Sequence, residues 1–433
     1  MSVLVGGQRK SASPKRLPSL LPSTCTWPFP DYLPPQARVV VIGDIHGDYE
    51  ALQQCLIMSE CVDPQHTDVW VAWGAVLVVL GDVVDRYRPR RQPRSLSTPP
   101  YLTCSAGERY GDELRVLALL NLLAQKARLR QSWVYRLVGN HEYTQSVPDP
   151  ALRYQKWYAS QTAVNGRTDE AYRARQLSFQ KGAFHEEVGF CHPKVAVQIG
   201  THVFCHGGFN EGNVRYATEH GMNIIEEANS LFAEYWSGRP YDQAAFEALA
   251  AKAGPGRGGT QAFGGILWDD TLSIHTQAED PAFEQRARTI MADLERNLSS
   301  ISPSEAGRLP ARVMVVSHCV QSHRQGEALG WVPALQREAE DWVDFTTRGA
   351  PEGGRYVRTP DDNRTINALF KGLAWRVDVG MSRAFEETHA ANQPFSNSSR
   401  PAILIIEEDG DEPVYTVRQA RRPLPLPPAG RCV

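Results

Sequence analysis

Short apolar runs alternate with helical patterns along the first third of the chain. One run of four apolar residues ends at Gly43, and similar runs cover residues 76–80 and 132–138. Continuous apolar runs of this length are typical of strands that are buried on both faces. Between them, residues 50–58 and 112–123 carry apolar residues at helical spacing. This order of strands and helices predicts an α/β fold with helices packed outside a sheet.

The same patterns divide the chain into three parts. Residues 1–36 are rich in Pro, Ser, Lys and Arg without an apolar period, which predicts a disordered lead-in. Residues 37–417 form one large predicted domain, with insertions near 88–110 and 145–185. The basic insertion at 88–110 is either a solvated loop or a segment that helps to hold an anionic substrate. Residues 418–433 form a Pro-rich tail.

Composition narrows the class of protein. The 433 residues are 42% hydrophobic and carry a net charge of -3. The net charge therefore does not attract the protein to nucleic acid or to an anionic membrane. The longest apolar run, Val69 to Leu80, is too short to span a bilayer, and the N-terminus lacks the apolar core of a secretory signal. The eight cysteines form no Cys-x-x-Cys pair. We therefore expect a soluble cytoplasmic protein.

Residues with metal-binding side chains follow several of the predicted strands. The motifs are Gly43-Asp44-Ile45-His46, Gly81-Asp82-Val83-Val84-Asp85-Arg86, Gly139-Asn140-His141-Glu142, Cys205-His206-Gly207 and Ser317-His318. Open α/β sheets bind ligands beyond the carboxyl ends of their strands, so the first three motifs can converge on one crevice, and two more predicted strands end in His206 and His318. Glycine in the first three motifs permits the tight turn that directs the next side chain into that crevice.

The donor set indicates two metal ions rather than one. It contains two Asp, one Asn and three His, which suits Mn, Fe or Zn better than Ca. That is too many ligands for a single open catalytic ion, but it suits two ions that share one carboxylate. A pair of ions about 3.5–4 Å apart is the usual arrangement for in-line displacement at phosphorus.

In this order, the five motifs resemble the calcineurin-like metallophosphoesterase superfamily, and within it the Shewanella-like branch of the phosphoprotein phosphatases. Residues 111–117, Ile266-Leu-Trp268-Asp and Trp375-Arg-Val-Asp-Val-Gly-Met-Ser382 support that branch, and the resemblance covers residues 38–407. It implies a β-sandwich flanked by helices (α/β/β/α), with the active site at the carboxyl ends of the strands.

The resemblance also implies a role for individual residues. The implied metal ligands are Asp44 and His46 on the first ion, Asp82 on both ions, and Asn140, His206 and His318 on the second. Arg86 and Asn140 would bind the phosphate. His141 would protonate the leaving oxygen, and Asp85 would orient that imidazole. The implied cofactors are two divalent ions, Mn, Fe or Zn, with Mn and Fe preferred.

The implied reaction is hydrolysis of phosphomonoesters on Ser, Thr or Tyr of a phosphoprotein, by in-line attack of a hydroxide that bridges the two metals. One alternative is a hydrolase of dinucleoside polyphosphates or phosphodiesters. However, the His-x-His typical of such relatives is absent, since the next histidine after His318 is His323. Another alternative is a pseudophosphatase that binds phosphopeptides without cleaving them. No nucleic-acid or membrane partner is expected, and the tail segment 422–428 fits an SH3-type ligand.

The chain departs from the family pattern at two positions, and its second phosphate-binding arginine is not assigned. Tyr87 and Ser317 each stand where the family usually has Gly. The family holds phosphate with a further arginine, for which Arg376 and Arg383 are the candidates.

Overall fold

Two β-sheets form the centre of the molecule. The computed structural model describes residues 29–84, 113–147, 177–189, 193–251, 264–272, 280–301, 307–318, 329–332, 335–339, 341–349, 355–358, 366–379, 381, 400–409 and 412–421. The strands, in chain order, are β1 (Tyr32–Leu33), β2 (Arg38–Ile42), β3 (Val62–Asp63), β4 (His66–Trp70), β5 (Ala75–Val79), β6 (Trp133–Arg136), β7 (Ala196–Ile199), β8 (His202–Cys205), β9 (Val313–Val316), β10 (Leu329–Val332), β11 (Leu335–Glu338), β12 (Trp342–Arg348), β13 (Arg355–Arg358), β14 (Asn367–Leu369), β15 (Ala374–Arg376), β16 (Ala402–Asp409) and β17 (Glu412–Ala420).

Within the described residues, one sheet has eight strands in the order β1-β7-β8-β9-β15-β14-β10-β13. The other has seven, in the order β11-β12-β17-β16-β2-β5-β6, and β3 pairs with β4 in a separate hairpin. Strands β2, β5 and β6 are parallel neighbours, as are β8, β9 and β15 in the other sheet. Each parallel set therefore ends at one edge of its sheet, and the predicted motifs follow those ends.

The two sheets pack face to face. Trp375 of the eight-stranded sheet stacks on Tyr415 of the other, with ring centroids 4.9 Å apart. His202 lies beside the same ring, and its Nε2 is 2.7 Å from the Tyr415 hydroxyl. Strand β5 and residues 39–42 of β2 are apolar and buried, as the continuous apolar runs predicted. These contacts fix the relative position of the two sets of strand ends.

Helices cover the sheets and connect them. They are α1 (Tyr49–Ser59), α2 (Glu113–Arg128), α3 (Asn140–Ser146), α4 (Ala183–Gly189), α5 (Glu211–Glu219), α6 (Ile224–Ser237), α7 (Gln243–Phe246) with a π-helical turn at Glu247–Ala251, and α8 (Pro281–Ile301). A 3₁₀ turn covers Phe370–Gly372. None of the helices in the described part of the chain combines the length and apolar character that a membrane crossing needs.

The α/β sandwich confirms the fold class that the sequence predicted. The folded part begins earlier than residue 37, however. Phe29 packs edge-on against Trp133 and Tyr135, and β1 pairs with β7. A two-residue strand carries no detectable period, so the sequence pattern could not reveal it. The folded part also ends later than residue 417, because β17 runs to Ala420 and pairs there with β12. The rest of the predicted division remains a prediction, and both predicted insertions lie largely outside the described residues.

Candidate metal centre

The loops that follow β2 and β5 are joined by backbone hydrogen bonds. The N–H groups of Ile45 and His46 donate to the Asp82 carbonyl at 3.2 and 2.8 Å, and Gly47 donates to Val83 at 2.6 Å. The first two motifs therefore form one rigid unit at the edge of the sheet.

Three of the predicted ligands have a left-handed backbone. His46, Asp82 and His318 have φ angles of 45°, 46° and 67°. Such angles in non-glycine residues cost of order 1–3 kcal/mol each, and they persist only where the surrounding contacts hold them. Their coincidence at one edge of the sandwich is typical of a functional site.

Two glycines give Asp82 the space that it occupies. A Cβ on Gly81 would lie 2.6 Å from the Gly139 nitrogen. A Cβ on Gly139 would overlap the Asp82 carboxylate itself. The second and third motifs thus approach more closely than any residue with a side chain would allow.

Asp82 lies at the centre of the cluster. Its Oδ2 is 3.3 Å from His206 Nε2, 3.5 Å from His141 Nε2 and 3.9 Å from His46 Nε2. Two overlapping groups of metal-binding atoms result, one with His46, Asp82 and His141 and the other with Asp82, His206 and His318. Within each group the atoms lie within 4.8 Å of one another. Asp82 is the member that both groups share.

The remaining predicted ligands surround this carboxylate. Asn140 Oδ1 is 2.9 Å from His206 Nε2 and 3.1 Å from His318 Nδ1. Asp44 Oδ2 is 3.9 Å from His46 Nε2, and its other oxygen accepts a hydrogen bond from the Ser317 hydroxyl. All six predicted ligands therefore lie together, although they follow strands of two different sheets.

Backbone carbonyls orient two of the imidazoles. His46 Nδ1 donates to the Val84 carbonyl at 3.1 Å, and His206 Nδ1 donates to the Leu80 carbonyl at 3.0 Å. Each hydrogen bond fixes the ring and directs Nε2 into the cluster. This arrangement is common in histidines that bind metals.

Glu142 supports the second motif from helix α3. Its carboxylate accepts hydrogen bonds from the N–H groups of Asp82, Val83, Val84 and Gly139, at 3.1, 2.7, 3.0 and 2.7 Å. Sequence reasoning placed Glu142 in a motif but gave it no role. Its position three residues after Gly139 was the available signal, but the three partners in the loop after β5 become evident only in three dimensions.

Buried negative charge makes the cluster electrostatically suited to cations. Burial, reinforced by Asp378 and Asp82, raises the pKa of Asp44 well above its usual value. Burial also opposes ionisation of Asp82, but the His141 and His206 imidazoles hold its pKa well below the usual value. Burial alone would lower the pKa of His206, yet Asp82 and Asp44 raise it to about 10. Positive charge next to these buried carboxylates is therefore stabilising, and divalent ions would supply it.

The structure brings seven of the nine predicted site residues together. These are Asp44, His46, Asp82, Asn140, His141, His206 and His318. Asp85 and Arg86 lie outside the described residues, as does Tyr87. Arg376 is fully buried and its Nε donates to Asn367 Oδ1 at 2.7 Å, while Arg383 lies outside the described residues.

The sequence profile of the calcineurin-like phosphoesterase family matches residues 37–270, more than half of the chain. The chain therefore belongs to this family of metal-dependent enzymes that hydrolyse phosphoesters, which confirms the resemblance drawn from the five motifs.

Among individual proteins, the chain is similar to Shewanella-like protein phosphatase 2 of Arabidopsis thaliana, with 28% identity over 105 residues. This match covers 24% of the chain and 20% of the relative. A protein of Schizosaccharomyces pombe, named as uncharacterised, is 31% identical over 111 residues, which cover 26% of each chain. The chain thus aligns with about a fifth to a quarter of the length of these curated relatives.

Solved structures resemble the fold at low identity. A cold-active protein tyrosine phosphatase gives a TM-score of 0.48 with 15% identity, covering 89% of this chain and 77% of that one. A Saccharomyces cerevisiae protein serine/threonine phosphatase gives 0.37 with 12% identity, covering 92% and 83%.

Proposed function

We propose that the protein is a metal-dependent phosphoprotein phosphatase that hydrolyses phosphomonoesters on Ser, Thr or Tyr. The observation that carries this proposal is the shared position of Asp82 between two groups of metal-binding atoms, with His141 beside it. The Arabidopsis relative is named a protein phosphatase, which supports the choice of substrate class.

The chain's own residues would hold two divalent ions in the predicted arrangement. Asp44 and His46 would bind the first, Asp82 would contribute to both, and Asn140, His206 and His318 would bind the second. When bound, such ions lower the pKa of water and neutralise phosphate charge. Mixed carboxylate, amide and imidazole donors accept Mn, Fe or Zn, and we propose Mn and Fe as the physiological ions.

His141 is the proposed proton donor. Its ring is buried, its Nε2 lies 3.5 Å from Asp82 Oδ2, and its centroid is 4.8 Å from that of His46. A proton held at this position is within reach of an oxygen that leaves a phosphate bound over the cluster. Asp85 as the orienting carboxylate and Arg86 as the phosphate-binding cation complete the proposed machinery.

The experiment measures phosphate release from matched phosphothreonine and phosphotyrosine peptides. Protein stripped with a chelator is assayed before and after Mn²⁺ is restored, beside Asp82→Asn and the matched surface variant Asp293→Asn. We expect Mn²⁺-dependent release that Asp82→Asn abolishes and Asp293→Asn retains. The ratio of phosphate release from the two peptides then shows whether phosphothreonine or phosphotyrosine is the preferred substrate.

Two outcomes would contradict the proposal. Cleavage of diadenosine tetraphosphate, with no release from either peptide, would assign the site to polyphosphate or diester substrates. Phosphopeptide binding that survives Asp82→Asn, without any release by metal-loaded wild type, would indicate a pseudophosphatase.

A further inference from the structure

An exposed apolar patch lies at the end of the sandwich remote from the metal centre. The apolar run that begins at Val69 is buried from Ala75 onward, and Trp70 is also buried, but three of the residues before Gly74 are exposed. Val69, Val71 and Trp73 expose 39%, 37% and 66% of their surface, and Leu129, which follows α2, exposes 80%. We call these four residues the Trp73 patch.

The members of the Trp73 patch lie on neighbouring segments. Gly74 N–H donates to the Arg130 carbonyl at 3.1 Å, which joins the segment before β5 to the segment after α2. The Arg130 guanidinium donates to the Val71 carbonyl at 3.3 Å and lies 5.4 Å from the centre of the Trp73 ring. Contiguous exposed apolar surface of this kind marks interaction sites more often than single exposed residues do.

The charge beside the Trp73 patch is positive and incompletely compensated. Lys126 pairs with Asp68 at 3.1 Å. Arg130 and Arg128 have aromatic partners instead, since the Arg128 guanidinium lies 3.6 Å from the centre of the Trp133 ring. Within the described residues, neither arginine has a carboxylate within 4.0 Å. Arg130 contacts the patch directly, and Arg128 precedes its member Leu129 in the chain. An apolar surface with such arginines on it and on the adjoining segment is complementary to apolar side chains flanked by acidic ones.

The position of the patch keeps it apart from the metal centre. Trp73 precedes the amino end of β5, whereas Asp82 follows its carboxyl end. Likewise, Leu129 precedes β6 and Asn140 follows it. A partner on the Trp73 patch would therefore leave the substrate site open.

We propose that the Trp73 patch is a docking site for an acidic peptide segment of another protein, whose apolar side chains cover Trp73 and Leu129 while its carboxylates pair with Arg128 and Arg130. Tryptophan and arginine are the residues that most often dominate binding energy at such interfaces. The site does not depend on the proposed reaction.

The test selects binders from a random twelve-residue peptide display library on the full-length chain. We expect the selected peptides to combine apolar residues with Asp or Glu. Their affinity should fall at least tenfold with Trp73→Ala and several-fold with Arg130→Gln, and it should weaken as salt increases. Leu309→Ala and Arg215→Gln are matched controls, because they change an exposed apolar and an exposed basic residue elsewhere. Thermal unfolding verifies that each variant is folded.

Three results would overturn the proposal. One is the absence of any selected peptide, and another is the selection of peptides without acidic residues or with equal affinity for Trp73→Ala. The third is a concentration-dependent dimer in sedimentation equilibrium that Trp73→Ala dissociates, because a second copy of the chain would then be the occupant.

Discussion

The Glu142 carboxylate accepts the backbone N–H of Val83 at 2.7 Å, so one side chain of α3 holds the loop that carries Asp82. The connection continues to the first motif, because the neighbouring Val84 donates to the same carboxylate while its carbonyl accepts from His46. Glu142 is thus a positioning residue for ligands from three motifs.

Replacing Glu142 by Gln should weaken metal binding. The amide end of Gln would face N–H donors that now point at a carboxylate, and hydrogen bonds to charged groups contribute about 1.5–3 kcal/mol each. We expect at least a tenfold loss of Mn²⁺ affinity, measured by calorimetry. Glu186→Gln, on the exposed face of α4, should bind Mn²⁺ as the wild type does. Unchanged affinity in Glu142→Gln would show that the carboxylate is dispensable.

Ser317→Ala should affect the Asp44 side of the site. The Ser317 hydroxyl donates to Asp44 Oδ1, and removing a hydrogen bond that orients a ligand costs about 10–100-fold in metal affinity. Titration of stripped protein with Mn²⁺, compared with Ser299→Ala on α8, measures this loss. A variant in which both ions bind as in the wild type would contradict the role of this hydroxyl.

Gly139→Ala should abolish activity and also lower stability. The φ angle of Gly139, near -101°, is open to alanine, but the added Cβ would overlap the Asp82 carboxylate and lie 2.5 Å from the Asp82 backbone nitrogen. Gly221→Ala provides the opposite case, because φ is +66° but no neighbour lies within 4 Å. That control should lose about 1 kcal/mol of stability and keep its phosphatase rate. Comparable rates in both variants would refute the steric argument.

Acid should destabilise the sandwich partly through His202. Burial lowers the pKa of His202 to about 4, from an ordinary value of about 6.5, and its Nε2 faces the Tyr415 hydroxyl. Between these two values the unfolded chain binds the additional proton. The stabilisation is therefore complete above about pH 6.5 and is lost as the pH falls to 4, by about 3 kcal/mol.

Urea unfolding of the wild type and His202→Asn at several pH values measures this contribution. The difference in unfolding free energy between the two proteins should shrink by about 3 kcal/mol between pH 7 and pH 4. Parallel pH profiles for the two proteins would mean that His202 does not titrate in this way.

The sequence predicted the positions of the site residues better than the contacts that hold them. Asp44, Asp82 and Asn140 could be found because each follows a glycine at the end of a buried strand. Glu142 could be read as part of a motif, but three of its four backbone partners, Asp82, Val83 and Val84, lie about 60 positions earlier in the chain. A contact between residues so far apart leaves no signal in the local sequence pattern.

The apolar run from Val69 to Leu80 illustrates the same limit. As a sequence it is one continuous hydrophobic stretch. In the structure Gly74, with φ of +61°, turns the chain between a segment in which Val69, Val71 and Trp73 are exposed and buried β5. Which half of a short apolar run faces solvent depends on what the rest of the chain covers, and local periodicity does not contain that information.

Because the ligands come from two sheets, the metal centre can form only after both sheets have folded and packed together. Asp44 and Ser317 contact each other across 273 positions of sequence. During synthesis, the chain therefore cannot assemble both ion sites until nearly three quarters of it has been made and the second sheet has packed. A chain made only in part would then lack the complete metal centre, and ions that bind the completed centre would stabilise the fold.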